Sequence, residues 1–337
     1  MKSKPLISVI IVNWNGESLI DDCLTTLLSQ NYTSIEVLFV DNNSSDNSEK
    51  VVKKYKKVKF IQTGANLGFA GGNNYGLKYA KGTYVLLLNT DTKVSNDFLA
   101  KMVEKIESDN ELGIVQPKLL YENDRINSIG AYLTNTGFLY YPGYDKNGKL
   151  KKYNNEEYVF SAYGACMLIR KSVIEEIGLF DDDYFMYFEE TDFCMRAWLA
   201  GWKILYIPNA SIHHKGAASS KKFGLERMIY HSFKNRICTY IKNFEFLSLV
   251  FILSIHIIAC EVASLMYLIT GRFGYASAVQ KALWWNIISF KSTLKKRKTV
   301  QKSYRKISDK EYFKHVFRYP RMSYYLYLFK GLRYYKD

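Results

Sequence analysis

The sequence predicts an α/β protein: a mostly parallel sheet flanked by helices, followed by an α-helical region that associates with membranes. Three observations predict it. Short apolar runs alternate with stretches of helical spacing through the first ninety or so residues. Tyr84–Leu88 is apolar without alternation, as a strand buried on both faces requires, and it ends abruptly in Asn89-Thr90-Asp91. After about Lys221 the character changes to a long apolar stretch, Phe246–Ile269, and then to a basic, aromatic tail.

Leu6–Val12 reads as the first buried strand and Asn13–Gly16 as a turn. Ser18–Gln30 spaces Leu19, Ile20, Cys23, Leu24, Leu27 and Leu28 as one helical face. Ile35–Val40 is the second strand, followed by polar Asp41–Asp46 and a helix to about Tyr55. Val58–Gln62 is the third strand, and Asn66–Asn74 leads into a helix ending near Lys81-Gly82. With Tyr84–Leu88 as the fourth strand, this βαβαβαβ order predicts parallel pairing with helices on both faces. Ser95–Ser108 is another helix and Gly113–Pro117 a short strand, and Tyr121–Tyr158 is loop-like. Ala165–Arg170 reads as a strand, Ser172–Ile177 as a short helix, and Leu205–Ile207 as a strand stopping at Pro208. There is no internal repeat and no low-complexity linker. The division expected is a catalytic domain over residues 1–225 and a helical, basic-aromatic region over 226–337.

The 337 residues are 48% hydrophobic, enough for a sizeable core. Five widely spaced cysteines include no Cys-x-x-Cys pair, which argues against a zinc site or disulfide framework and fits a reducing compartment. The short apolar run after Pro5 breaks at Asn13-Trp14-Asn15-Gly16, so no signal peptide is expected. Of 47 Lys/Arg and 32 Asp/Glu, 15 and 3 fall within residues 291–337, so the net charge of +15 belongs mainly to the tail. Such a tail implies an anionic partner, membrane or nucleic acid.

Four clusters carry chemistry. In open α/β sheets ligands sit outside the carboxyl ends of strands, so Asp41 and Asp91 point toward a site. Asp91 can hold a hard divalent cation that in turn holds a diphosphate, or it can cap a helix near Ser95 or close a turn. Asp41 can accept from a pyrimidine N–H, with Asp46 or neighbouring amides steadying a ribose; Asp-Asn-Asn-Ser-Ser-Asp equally suits Asx turns and caps. Gly68, Gly71 and Gly72 just before a helix let backbone approach a phosphate, although no Walker lysine follows. Glu189, Glu190 and Asp192 crowd three carboxylates beside Phe185, Tyr187, Phe188 and Phe193. A solvated helix start tolerates acids, but burial among aromatics raises a carboxyl pKa and makes a usable base. His213 and His214 read as core histidines or, with Asp91, as a metal ligand.

Ile7–Asn15, Asp41-Asn42-x-Ser44-x-Asp46, Asn66-Leu67-Gly68-Phe69, Leu88-Asn89-Thr90-Asp91, Phe188-Glu189-Glu190-x-Asp192 and His213-His214 resemble, in order and spacing, the motifs of family 2 inverting glycosyltransferases. The branch with bacterial rhamnosyl- and galactofuranosyltransferases looks nearest, and the resemblance covers about residues 5–225. It implies a GT-A fold, a nucleotide-diphosphate sugar donor such as dTDP-rhamnose or a UDP-sugar, and a divalent cation, Mg²⁺ or Mn²⁺. It implies Asp41 on the nucleotide base, Asp91 and His214 on the metal, and Glu190 as general base, with Glu189 and Asp192 holding the acceptor or orienting Glu190. The donor would lie against Val12, Asn13, Asn15, Asp41, Asn43, Asn66, Gly68, Phe69, Asn73, Asn89, Thr90 and Asp91. Asn89 stands where the family's Asp-x-Asp has its first acid, leaving one carboxylate fewer on the metal. The residue at the base position is Glu where Asp is commoner.

A nucleotidyltransferase would want a basic, Gly-rich loop after the first strand, and Asn13–Gly16 has no Lys or Arg. A non-catalytic membrane- or nucleic-acid-binding protein would rest on the tail alone; the apolar stretch beside it points to lipid rather than nucleic acid. Phe246–Ile269 is long enough to span a bilayer. Basic residues on both sides, with His256 and Glu261 inside, instead favour interfacial or re-entrant helices on the cytoplasmic face of a bacterial cell membrane, beside a lipid-linked saccharide acceptor in surface-polysaccharide synthesis. The sequence leaves the oligomeric state open.

Overall fold

The computed structural model describes residues 4–216, 223–330, 332 and 335; the stretch just before the expected 225 boundary and the last residues of the basic tail lie outside it. The chain runs β1 (Ile7–Asn13), α1 (Glu17–Leu28), β2 (Ile35–Asp41), α2 (Ser48–Val52), β3 (Val58–Gln62), α3 (Gly68–Leu77), β4 (Tyr84–Leu88), β5 (Thr92–Val94) and α4 (Phe98–Glu107). It continues through β6 (Leu112–Leu120), β7 (Ile126–Ser128), β8 (Glu157–Tyr158), β9 (Cys166–Arg170), α5 (Lys171–Ile177), α6 (Glu189–Leu199) and β10 (Lys203–His214). Helices complete it: α7 (Leu225–Asn243), α8 (Phe246–Ile269), α9 (Phe273–Ile288), α10 (Phe290–Thr299), α11 (Asp309–Val316) and α12 (Met322–Lys330).

The sheet order is β3-β2-β1-β4-β9-β6-β10-β5. The four predicted strands pair in parallel, and Tyr84–Leu88 is buried at every position. Chain order reverses at β1, flanked by β2 on one side and β4 on the other, so a crevice opens at their carboxyl ends. The rest of the sheet is mixed. β9 runs antiparallel between β4 and β6, and β5 runs antiparallel to β10.

Several boundaries differ from the sequence reading. The helix expected after Asn74 begins at Gly68 itself, because Asn66 Oδ1 accepts the Gly68 N–H at 3.0 Å and starts the turn early. β10 passes through Pro208; the register shift between Ile207 and Ser211 absorbs the missing donor. Asp91 lies between β4 and β5 in a turn closed by Thr92 Oγ1 on the Asn89 carbonyl, at 2.7 Å, and caps no helix.

The helical region packs directly on the sheet domain. Cys238 and Tyr240 of α7, Phe244 just after it, Ile252 of α8, and Tyr312 and Val316 of α11 share one apolar core with the strands and α6. Leu133 and Arg318 exchange backbone hydrogen bonds with the α11 end and the 133 segment.

Candidate active site

A pocket of about 200 Å³ opens at the carboxyl ends of β1 and β4. Val12, Asn66, Gly68, Phe69, Asn89, Thr90, Asp91, Glu189, Glu190 and His214 line it, so the topology gathers residues from across more than two hundred positions of sequence.

One wall is the β4–β5 turn against the end of β10. His214 pairs with Thr92 in the antiparallel ladder, which sets its ring beside Asp91. His214 Nε2 lies 3.1 Å from Asp91 Oδ1, and both residues are buried. His214 Nδ1 is 2.9 Å from Asn127 Oδ1, so that nitrogen carries the proton and Nε2 presents its lone pair. Nε2 has no hydrogen-bond partner, because its approach to Asp91 is misaligned for one. A buried lone pair beside a carboxylate, oriented from behind by an amide oxygen, suits two ligands of one cation. No group of three or more acidic, His or Cys ligands occurs among the described residues, so the remaining ligands of such a cation would come from substrate and water. His213, one residue earlier, points to the other face of the strand and meets Asp124 at 3.1 Å, away from the pocket.

The opposite wall is the start of α6. Glu189 is 4% exposed, and Glu189 Oε2 and Glu190 Oε2 are both buried without a hydrogen-bond partner. Burial pushes the Glu190 carboxyl up to about 7 against the lowering effect of nearby backbone amides. Burial, then the neighbouring Glu190, holds Glu189 well above the carboxylate range. Such a pair gives up one proton near neutrality and keeps the other. A carboxylate of that kind is a competent base at physiological pH.

Asp192 departs from expectation. Burial would raise its pKa, but the charges of Lys242 and Arg196 outweigh it and hold the group below the usual range. Arg196 Nε is 2.9 Å, Lys242 Nζ 3.0 Å and Asn243 Nδ2 2.9 Å from its carboxylate. Held by all three, it lines no wall of this pocket and anchors α6 from behind.

The nucleotide side is also more structural than expected. Asp41 accepts from Asn13 Nδ2 at 2.9 Å and from the Ser44 N–H at 2.8 Å, which is the loop-building alternative. Asn15, at φ 52°, accepts the Ser45 N–H at 2.7 Å. Asn73 is buried and donates to the Phe69 carbonyl at 2.9 Å, and Asn43 is exposed at φ 60°. Asn13, Asn15, Asp41, Asn43 and Asn73 therefore frame the crevice without lining the pocket. Gly68 is required: at φ 71° an added Cβ would strike the Phe185 carbonyl, which accepts the Phe69 N–H at 2.8 Å.

Sequence reasoning missed several lining residues. Trp14 stacks on Phe223 at 4.5 Å, and Phe223 meets Phe185 edge-on at 5.7 Å. Asn42 holds the Gly68 carbonyl at 2.8 Å, and Tyr163 packs edge-on against His214. Trp14 and Asn42 sit inside motifs already noted; Tyr163 and Phe223 carry no pattern that one sequence can reveal.

A mixed sheet with its crevice at the reversal point, and acids from two elements facing one pocket, define a glycosyltransferase of the GT-A fold. More particularly, the chain belongs to Glycosyl transferase family 2, which matches residues 8–178. It is 29% identical over 240 residues to a low-salt glycan biosynthesis hexosyltransferase of Haloferax volcanii, covering 68% of this chain and 74% of that protein. It is 27% identical over 208 residues to a poly-beta-1,6-N-acetyl-D-glucosamine synthase of Staphylococcus epidermidis, covering 60% of this chain but only 48% of the synthase. A mannosyltransferase from Pyrobaculum calidifontis, solved with GDP-Man and Mn²⁺, shares the fold with a TM-score of 0.56 at 16% identity, over 85% of this chain and 88% of that one. S. aureus TarS residues 1–349 share it at 0.53 and 19% identity, over 74% and 71%.

Proposed function

We propose that this glycosyltransferase moves a sugar from a nucleotide-diphosphate donor to a hydroxyl of a saccharide acceptor with inversion at the anomeric carbon, in surface-polysaccharide synthesis. The observation that carries the reading is the buried Glu190 Oε2, without a hydrogen-bond partner, across one pocket from the Asp91–His214 pair. Glu190 accepts the proton of the acceptor hydroxyl as that oxygen bonds to C1, and the C1–phosphate oxygen bond breaks to release nucleoside diphosphate. Asp91 and His214 would hold the divalent cation, Mg²⁺ or Mn²⁺, which would supply positive charge against the leaving diphosphate. Glu189, kept protonated, donates to a sugar oxygen without competing for the acceptor proton. The Asp41 loop receives the nucleotide base, while Trp14, Phe185 and Phe223 shed water from the pocket. Mn²⁺ beside a nucleotide sugar in the mannosyltransferase neighbour supports the cation. The resemblance to rhamnosyl- and galactofuranosyltransferases supports a dTDP-rhamnose-like or UDP-sugar donor.

We place the enzyme on the cytoplasmic face of the membrane with a lipid-linked acceptor. α8, 24 residues long, is the one described helix long and apolar enough to cross a bilayer. It turns Ile252, His256, Cys260 and Ala263 toward the protein, and His256 Nδ1 reaches the Thr136 carbonyl at 3.0 Å. Leu247, Ile269 and Phe273 remain 81%, 76% and 68% exposed, with Trp284 and Ile288 of α9 exposed alongside. An apolar face next to a basic tail fits interfacial docking on anionic lipid. Release of nucleoside diphosphate from a panel of donors, with a lipid-linked acceptor and purified protein, tests the reaction. No release with any donor would overturn it.

A further inference from the structure

We propose that Asn235 is a positioning residue that clamps the left-handed turn aiming Glu190 into the pocket. This inference rests on Glu190 as the base. The turn immediately before α6 is unusual: Tyr187 and Phe188, neither of them glycine, have φ of 65° and 70°. Left-handed backbone is unfavourable at a non-glycine residue and persists only where the surroundings over-determine it. The α6 N-terminus carries no side-chain cap of its own. The clamp comes from α7. Asn235 is 0% exposed, and its Nδ2 donates both to the Met186 carbonyl at 3.0 Å and to the Tyr187 carbonyl at 2.6 Å. Those two carbonyls belong to the peptides on either side of Tyr187, so the one amide holds both flanks of the first left-handed residue.

Asn235 is itself fixed. Tyr184 Oη donates to its backbone carbonyl at 3.1 Å, and Asn286 of α9 donates to the adjacent Lys234 carbonyl at 3.1 Å. Without the clamp the turn relaxes toward right-handed backbone, which rotates the first turn of α6 and swings Glu190 off its position. The groups facing Glu190 are Glu189 and Cys194 on its own helix, Tyr163 before β9 and Tyr141 from the 121–158 segment; the Arg236 charge of α7 acts on Tyr141.

The test compares Asn235→Ala, Tyr187→Gly and the double variant with wild type and Glu190→Gln. Asn235→Ala should lower kcat on the order of 10²-fold, as a small misplacement of a reacting group does, with donor KM unchanged. Its acidic pH limb should move below that of wild type, because a displaced Glu190 regains solvent. Glycine adopts positive φ freely, so Asn235→Ala should cost much less in the Tyr187→Gly background. Asn235→Ser, which keeps one donor, replaces Ala if Ala prevents folding. Equal cost in both backgrounds, or a raised donor KM with kcat intact, would overturn the clamp. An active Glu190→Gln would overturn the base reading instead.

Discussion

The Glu190 carboxyl shows how burial brings an ordinary acid into the range of a base at neutral pH. The same carboxyl in water loses its proton near 4.5, and burial in this pocket moves it to about 7. Two predictions follow from that one shift. Transfer should rise with pH along an acidic limb centred near 7, read from the pH dependence of kcat/KM, and Glu190→Gln should abolish the limb with the activity. Stability should move the opposite way. The folded protein binds this proton more tightly than the unfolded chain, so the contribution is full below pH 4.5 and is lost as pH rises through about 7. Glu190→Gln should therefore raise the melting temperature by a few degrees at pH 8 and leave it unchanged at pH 4; an equal shift at both pH values would contradict the assignment. Asp91→Ala should abolish the response of donor binding to Mg²⁺ or Mn²⁺, measured calorimetrically, since it removes the one carboxylate of the Asp91–His214 pair. These residues were legible in the sequence because they close motifs at strand ends. Choosing between His213 and His214 was not, because it depends on which face of β10 is turned toward the pocket.

At the scale of elements, α6 is held from behind by charges as much as by apolar packing. Lys242 of α7 is buried between Asp181, at 2.5 Å, and Asp192, at 3.0 Å, and Lys296 of α10 also meets Asp181. Lys242→Met should remove the cation that both acids share, leaving Asp181 to Lys296 and Asp192 to Arg196, and destabilise the fold by about 1.5–3 kcal/mol in urea unfolding. A change under 1 kcal/mol would mean that α6 does not depend on the pair. Asp192 read as part of the reacting set from its spacing alone, since Glu-Glu-x-Asp looks like one cluster. A helix advances about 100° per residue, so two positions carry Asp192 to the far side, toward α7. The short antiparallel β5 and the antiparallel insertion of β9 were equally hidden. β5 has three residues and only its pairing with β10 makes it a strand, and a buried apolar run reads the same in either direction.

Across the whole molecule, α7 links the site to the apolar face. One side of it holds the Tyr187 turn and Asp192, and the other packs with Cys260 of α8 and Val279 of α9 in a smaller core. The sequence change near Lys221 was visible, but the intimacy of the two halves was not: the polar residues of α7 that bind the sheet domain, Asn235, Thr239 and Asn243, look like a solvated helix face until their partners are in place. Purified protein should float with anionic vesicles at low salt and release partly as salt rises. Leu247→Ser with Phe273→Ser should weaken the binding at every salt concentration, whereas failure of the wild type to bind would remove the membrane role and leave the catalytic reading intact.

Removal of the acceptor proton by Glu190, in a single displacement, is the step on which the proposed reaction depends. Its most direct test is single-turnover transfer by Glu190→Gln, alongside calorimetric donor binding by the same variant. With Glu190 as the base, donor affinity should stay close to wild type and transfer should fall by at least ~10²-fold. Transfer near the wild-type rate would contradict it.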